Sequence, residues 1–218
     1  VQDTKDGWSV SMGDVLPPLF QERGIEIVTK NNPITWETGA VDFSAQVSLL
    51  KRLKPDGLGI AAIYGEVASF AREMQKQGLD LKGVDSSGIY ASEFIAEGGE
   101  AVESRIVASS FWPDNPDPKV QKFVEKFRTR AKKVTPKNPD PTWCDGNSYD
   151  GIYILADVFD KYNITGGMDL DKSRGLIKEG LAEVKDFAGV TGVTTIGPDG
   201  EGIKKTYVLI VKDGKFQL

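Results

Sequence analysis

The sequence predicts an α/β fold in which a parallel sheet is flanked by helices. Three observations carry this expectation. Strand-like and helix-like hydrophobic periods alternate along the chain to about residue 132. Leu58 to Ile63 is a continuous apolar run, the pattern of a strand buried on both faces. A proline-rich break between Trp112 and Pro141 then separates the alternating part from a helix–helix–strand part too small for a doubly wound sheet of its own.

The elements follow in order. Ser9 to Arg23 reads as a helix, with a kink or early end near Leu16 because Pro17 and Pro18 each remove a backbone donor. Gly24 stops it, and Ile25, Ile27 and Val28 form a short strand. Asp42 caps a helix that carries Phe43, Val47 and Leu50 on one face. Pro55-Asp56-Gly57 turns the chain into the apolar strand at Leu58. Glu66 to Gln77 is helical, with Val67, Phe70, Ala71 and Met74 inward, and Gly78 ends it. Leu81 to Val84 is a strand, Ser92 caps a short helix through Phe94 and Ile95, and Arg105 to Ser109 is a strand.

Trp112 to Pro118 holds three prolines and is a rigid loop. Val120, Phe123, Val124 and Phe127 mark an amphipathic helix with Lys and Arg on its far side. A second proline-rich stretch runs from Pro136 to Pro141. Tyr149, Ile152, Leu155, Ala156 and Phe159 mark the next helix, and Asp169 caps another through Leu176, Ile177, Leu181 and Val184. The tail reads as antiparallel strands: Val190 to Ile196, a Gly197-Pro198-Asp199-Gly200 turn, Thr206 to Val211, then Asp213-Gly214 and Phe216.

Composition narrows the function classes. With 39% hydrophobic and 27% charged residues in 218, the chain can bury a core as one large or two small domains. No apolar run reaches the ~18 residues a membrane helix needs. The net charge of −5, without a dense Lys/Arg cluster, predicts no nucleic-acid partner. There is no histidine, which removes Ser-His-Asp and Cys-His nucleophile pairs and the commonest zinc ligand. Cys144 is the one cysteine, so neither an intrachain disulfide nor a Cys-rich metal site is available, and no cofactor or metal is expected.

Local motifs point away from catalysis. Gly57-Leu58-Gly59-Ile60-Ala61-Ala62 fits a loose G-x-G-x-x-A, yet its glycines enter a strand instead of opening a helix on a pyrophosphate. Asp114/Asp117 and Asp199/Glu201 sit in turns and lack the ligand ladder of a calcium loop. No pair among the 32 acidic residues stands out for glycoside hydrolysis. In a parallel α/β sheet, ligands bind beyond the carboxyl ends of the strands, which selects the loops Asp3–Trp8, Ile63–Glu66 and Asp85–Tyr90. Ser86 and Ser87 could hold a polar ligand group there, or equally cap the helix that follows.

The order of segments resembles one family. An Asp-x-x-Asp-Gly-Trp start is followed by Val41-Asp42-Phe43-Ser44, Leu53-Lys54-Pro55-Asp56-Gly57 and the run Phe70 to Leu79. Then come Gly98 to Ser104, Pro116-Asp117-Pro118 with Phe123 and Phe127, Asn147-Ser148-Tyr149-Asp150-Gly151, and the closing run Tyr207 to Phe216. Over nearly its whole length the chain resembles the leucine/isoleucine/valine-binding proteins, the type I periplasmic solute receptors of ABC importers. The resemblance implies two Rossmann-like α/β lobes joined by three crossing segments, with ligand held in the cleft and closure recognised by the membrane subunits of the transporter. It also implies that this chain is the C-terminal portion. Residues 1–132 would be lobe two without its first strand, which would precede Val1, and residues 133–218 would be the return segment to lobe one and the final crossing strands. The Val-Gln-Asp start, without an initiator Met, fits a chain taken from a longer protein, and its last strand-like run fits a natural domain end.

By the same resemblance, ligand contacts fall at Asp6 with Trp8 beside it, at Ile63 with Tyr64 beside it, and at Ser87 beside Ser86. Amino-acid-binding members carry a carboxylate at the position of Ser87, so the serine departs from the pattern that grips an α-ammonium, although Asp6 could supply charge from another side. Trp143 and Cys144 match an apolar wall; Trp8 and Trp143 would suit a flat or apolar ligand, or could each simply pack a lobe edge. The implied protein is a non-enzymatic solute-binding component taking an amino acid or an aromatic or other carboxylic acid, located in the periplasm or lipid-anchored outside the inner membrane. The alternative is a ligand-sensing receptor domain or an amide-type regulator with the same fold, and a flavodoxin-like enzyme would need a flavin or nucleotide. Apolar helix faces at Ile152, Leu155, Phe159, Leu176 and Leu181 without a sheet to cover them imply that the isolated chain does not bind ligand tightly, and that it either self-associates by exchanging elements or needs an N-terminal half present as it folds.

Overall fold

Residues 1–29, 33–135 and 139–218 are described in a computed structural model of the chain. They form two compact units: Val1–Ser109 together with Val208–Leu218, and Ser110–Tyr207. These compact units divide at Ser110, and residues 208–218 group with the first.

The first unit is built on a sheet with strands in the spatial order β2 (Thr35–Trp36), β1 (Gln2–Asp3), β3 (Leu58–Ile60), β4 (Gly83–Asp85), β5 (Ile106–Ser109), β9 (Tyr207–Lys212), β10 (Lys215–Gln217). β1 is parallel to β2 and reaches β3 through a parallel bridge from Gln2 to Ala61; β3, β4 and β5 are parallel, and β10 returns antiparallel to β9. The place expected to lack a strand is therefore occupied. Val1 N donates to Gly59 O at 2.9 Å, Ala61 N to Val1 O at 2.9 Å and Asp3 N to Ala61 O at 3.1 Å, while Thr4 N closes on Trp36 O at 2.9 Å. The residues that pair here, Val1 to Thr4, are too few to show a period in the sequence.

Two other expectations change. α1 (Gly7–Glu22) starts before Ser9 and continues through Pro17 and Pro18 instead of ending near Leu16. The two prolines leave the Gly13 and Asp14 carbonyls without their helical donors on partly or fully exposed residues, where water can serve them. No strand forms at 25–28. Gly24, at φ +77°, donates to Gln21 O, and Ile25 N folds back to Phe20 O at 3.0 Å, so Ile25 closes the helix end and is 51% exposed. Ile34 and Trp36 take the core position instead.

Phe43, Val47 and Leu50 around α2 (Ser44–Leu53) and Val67, Phe70, Ala71 and Met74 of α3 (Tyr64–Lys76) are buried as their spacing predicts. Trp36 packs against Phe43 and Phe70 with ring centroids 5.0 and 5.3 Å apart. Phe94 of α4 (Ser92–Gly98) and Tyr90 close on Phe216 of β10. Between β4 and β5, Arg105 forms a two-pronged pair with Asp85, at 2.7 and 2.5 Å, with both side chains buried. A Cβ on Gly83 would collide with that guanidinium, so glycine makes its room. Burial pushes the Asp85 carboxyl above its ordinary value, and Arg105 pulls against it.

The second unit holds α5 (Pro118–Ala131), α6 (Trp143–Tyr162), α7 (Leu170–Ala182) and an antiparallel sheet of β6 (Phe187–Gly189), β7 (Gly192–Ile196) and β8 (Gly202–Lys204). Asp117 caps α5 through Lys119 N with Pro118 at its first position, and Asp169 caps α7 through Lys172 N. α6 starts at Trp143, six residues before the first apolar marker of its stripe. Asp145 accepts from both Thr142 N and Thr142 Oγ1, a reciprocal cap that sets the start. The proline-rich stretch from Pro136 lies partly outside the described residues.

Phe111, Val120, Phe123, Val124 and Val190 form this unit's core. A polar clasp supplements it. Buried Asp150 of α6 accepts from Val190 N, Thr191 N and Thr191 Oγ1 at 2.6–2.8 Å, against a Gly189 that has no room for a Cβ. Lys204 Nζ donates to Thr191 Oγ1 and Asn147 Oδ1, and Asn147 Nδ2 reaches Ser110 Oγ.

Candidate functional site

The strand order of the first unit reverses between β1 and β3: the chain leaves β1 toward β2 on one side and continues through β3, β4 and β5 on the other. Such a switch point opens a crevice at the carboxyl ends of the flanking strands. Six of the sequence-predicted residues sit on the loops and first helical turns there. Asp6 and Trp8 follow β1, Ile63 and Tyr64 follow β3, and Ser86 and Ser87 follow β4.

Asp3 braces the first loop. Its carboxylate is buried and accepts from Lys5 N at 2.8 Å, Asp6 N at 3.3 Å and Thr38 Oγ1 at 2.7 Å. Burial works against its charge, but the Lys5 N–H and the Thr38 hydroxyl outweigh it and hold the carboxyl below its ordinary value. Asp6 then caps α1, its Oδ1 accepting from both Ser9 N and Ser9 Oγ at 2.7 Å. That use of one oxygen is the capping role, where the resemblance implied a ligand contact.

Trp8 lies in the first turn of α1 with its indole over the loop after β4. A Cβ on Gly88 would stand 3.0 Å from Trp8 Cζ3 and 2.7 Å from the Ala62 carbonyl oxygen. Gly88 therefore draws the β1, β3 and β4 loops together, and no pattern in the sequence marked it. Ile63 is the extended residue before α3, and Tyr64 is the first helical residue; both are partly exposed. Ser86 and Ser87 open a short 3-10 turn, Ser87–Ile89, without a side-chain cap bond, and Ser86 Oγ is buried with no hydrogen-bond partner. The capping alternative for these serines is thus not what the local geometry shows.

Trp143 and Cys144 belong to the second unit, in the first turn of α6. Trp143 is partly buried against the Phe111–Phe123 core, and Cys144 is exposed. Partial burial, then the neighbouring Asp145 carboxylate, pushes the Cys144 thiol up, away from a reactive thiolate. Among the described residues no group of three or more acidic or cysteine side chains could hold a metal, and no helix is long and apolar enough to cross a membrane.

Comparison with known proteins adds three findings. The family described as periplasmic binding protein matches residues 3–215. The fold is similar to a leucine-binding protein of Thermotoga maritima, at 28% identity and TM-score 0.82, covering 99% of this chain and 57% of that one. It is similar to a putative branched-chain amino acid ABC transporter protein of Rhodospirillum rubrum, at 25% identity and TM-score 0.75, covering 100% and 58%. A solute-binding protein of an ABC transporter from R. palustris, solved in complex with benzoate, shares the fold at 18% identity and TM-score 0.75, covering 97% and 55%. The chain thus spans a little over half the length of these structures. No curated protein matched.

Proposed function

This chain belongs to the periplasmic binding protein family, and we propose that it is the ligand-gripping part of the solute-binding component of an ABC importer, working in the periplasm by binding and closure of the whole protein's lobes, without catalysis. The observation that carries this reading is the convergence of Trp8, Ile63, Tyr64, Ser86 and Ser87 on the ends of three parallel strands at a switch point, with Ser86 Oγ unpartnered.

The solute is a small organic acid, with an aromatic or other carboxylic acid favoured over an α-amino acid. An ammonium group would want a free carboxylate. Ser87 stands where amino-acid-binding members have one, and Asp6 has an oxygen committed to Ser9. The Trp8 indole offers a flat apolar wall. Likeness to the T. maritima leucine-binding protein supports the competing amino-acid reading.

The test is titration calorimetry on the longest natural form of the protein, with benzoate and leucine as probes. Benzoate is expected to bind more tightly, and Ser87→Ala to weaken it by about 1–3 kcal/mol. Leucine binding alone would restore the amino-acid reading, and a Ser87→Ala variant with unchanged affinity for either probe would remove this edge as the site.

A further inference from the structure

The second unit carries an open groove of about 570 Å³ between α5 and α6 that the proposed solute site does not use. One wall is a run of four rings. Phe123 lies 5.9 Å from Phe127 and 4.7 Å from Tyr149, and Tyr149 lies 4.8 Å from Tyr153. The Tyr149 hydroxyl donates to the Tyr153 oxygen at 3.3 Å, and Tyr153 is exposed enough to give its own proton to water. Phe123 is buried, whereas Tyr153 remains 50% exposed, so the wall runs from the core out to solvent.

The rim has the opposite character. Lys126 and Arg130 line the groove one helical turn apart on α5, and neither forms an ion pair among the described residues. Lys122 extends the same stripe, at spacings that keep three cations on one side of the helix, and Lys133 follows just past its end. Glu125 is the one acid within α5. On a chain of net charge −5, this is a local positive field beside an apolar trough. The lining runs along α5 from Phe123 to Ala131, about two turns, and goes on to Val134 and Thr135 past the helix end, which suits an elongated body.

We propose that this groove is a second binding site, taking an elongated apolar carboxylate of the fatty-acid class, with the chain along the aromatic wall and the carboxylate between Lys126 and Arg130. An apolar tail covers ring surface that water now touches, and the carboxylate meets two donors that lack a counter-charge. A neutral head would gain the first and forgo the second. This site is independent of the solute site, which lies in the other unit.

Titration calorimetry of the chain with sodium dodecanoate, kept below its micelle concentration, tests the assignment. Saturable one-to-one binding is expected, weakened about tenfold in the double variant Lys126→Gln/Arg130→Gln and weakened by added salt. Dodecyl maltoside, with the same tail and a neutral head, should bind no better to the wild type than dodecanoate binds to the double variant. Both substituted side chains are exposed, so the variant should fold, and its circular dichroism should match the wild type. Ser87→Ala should leave dodecanoate binding intact. The inference fails if dodecanoate gives no saturable binding, if the double variant binds as tightly as the wild type, or if dodecyl maltoside equals dodecanoate on the wild type. It fails too if Ser87→Ala abolishes dodecanoate binding, since the tail would then occupy the solute edge and the earlier reading would stand alone. Sedimentation showing the groove closed by a second copy, with dodecanoate unable to compete, would likewise overturn it.

Discussion

The two units are held together in different ways. Of the twelve largest fully buried side chains among the described residues, Phe111 alone belongs to the second unit; the rest line the sheet and helices of the first. The second unit adds to its smaller apolar core a buried clasp of charged and hydroxyl groups, with Asp150 gripping the β6–β7 turn and Lys204 spanning Thr191 and Asn147. Apolar burial is non-directional and tolerates some adjustment, whereas a buried polar clasp holds only while each partner is present. The first unit should therefore be weakened most by losing apolar bulk, and the second by losing single polar partners.

The strongest test of this contrast is Phe70→Ala. It should cost the first unit about 3–5 kcal/mol, read by urea denaturation followed at amides of α3 and β3. If α6 and β7 lose as much stability as α3 and β3 in that variant, the two units are not separable in stability. Asp150→Ala comes next, at about 2–3 kcal/mol, because it leaves the Val190 and Thr191 donors unpaired in a dry environment. Hydrogen exchange should show the loss in β6, β7 and α6 and little change in α3; uniform loss would count against a local clasp.

Asp6→Ala should cost about 1 kcal/mol through the α1 cap. Asp6→Asn, which keeps an acceptor, should recover most of it in thermal melts. The smallest effect concerns pH. Burial holds the Lys204 amine below its ordinary 10.5, with Asp150 opposing that shift. The unfolded chain then binds this proton more readily, so stability rises as pH climbs from the folded-state value to 10.5 and levels off above it. Lys204→Met should flatten that slope in alkaline denaturation curves; an unchanged slope would mean that the amine is solvated as in the unfolded chain.

Helices with a clean apolar stripe were legible from residue spacing. Val67, Phe70, Ala71 and Met74 in α3, and Val120, Phe123, Val124 and Phe127 in α5, face where the 3.6-residue period puts them. Strands of two or three residues were not. β1 and β2 are defined by backbone bonds to Gly59, Ala61 and Ile34, partners far away in sequence, and Ile25–Val28 looked more strand-like than Thr35–Trp36. The loops of the candidate site followed from the rule about strand ends, but the roles within them did not. Asp6 as a cap, Asp3 as the brace and Gly88 as the close approach depend on geometry that residue type alone does not encode. In the second unit, nothing in the spacing of Asp150 or Lys204 encodes the clasp, because their partners Val190, Thr191 and Asn147 lie 13 to 57 residues away.

The first unit is assembled from two pieces of chain, with residues 110–207 between them. As the chain emerges from the ribosome, β5 is made long before β9, so one side of β5 must wait in its unpaired state while the whole second unit is synthesised. An edge left open for that long can recruit a strand from another nascent chain. Expression yield should therefore depend on how quickly residues 208–218 follow, and slowing translation within α6 or α7 should cost soluble protein even though no residue has changed.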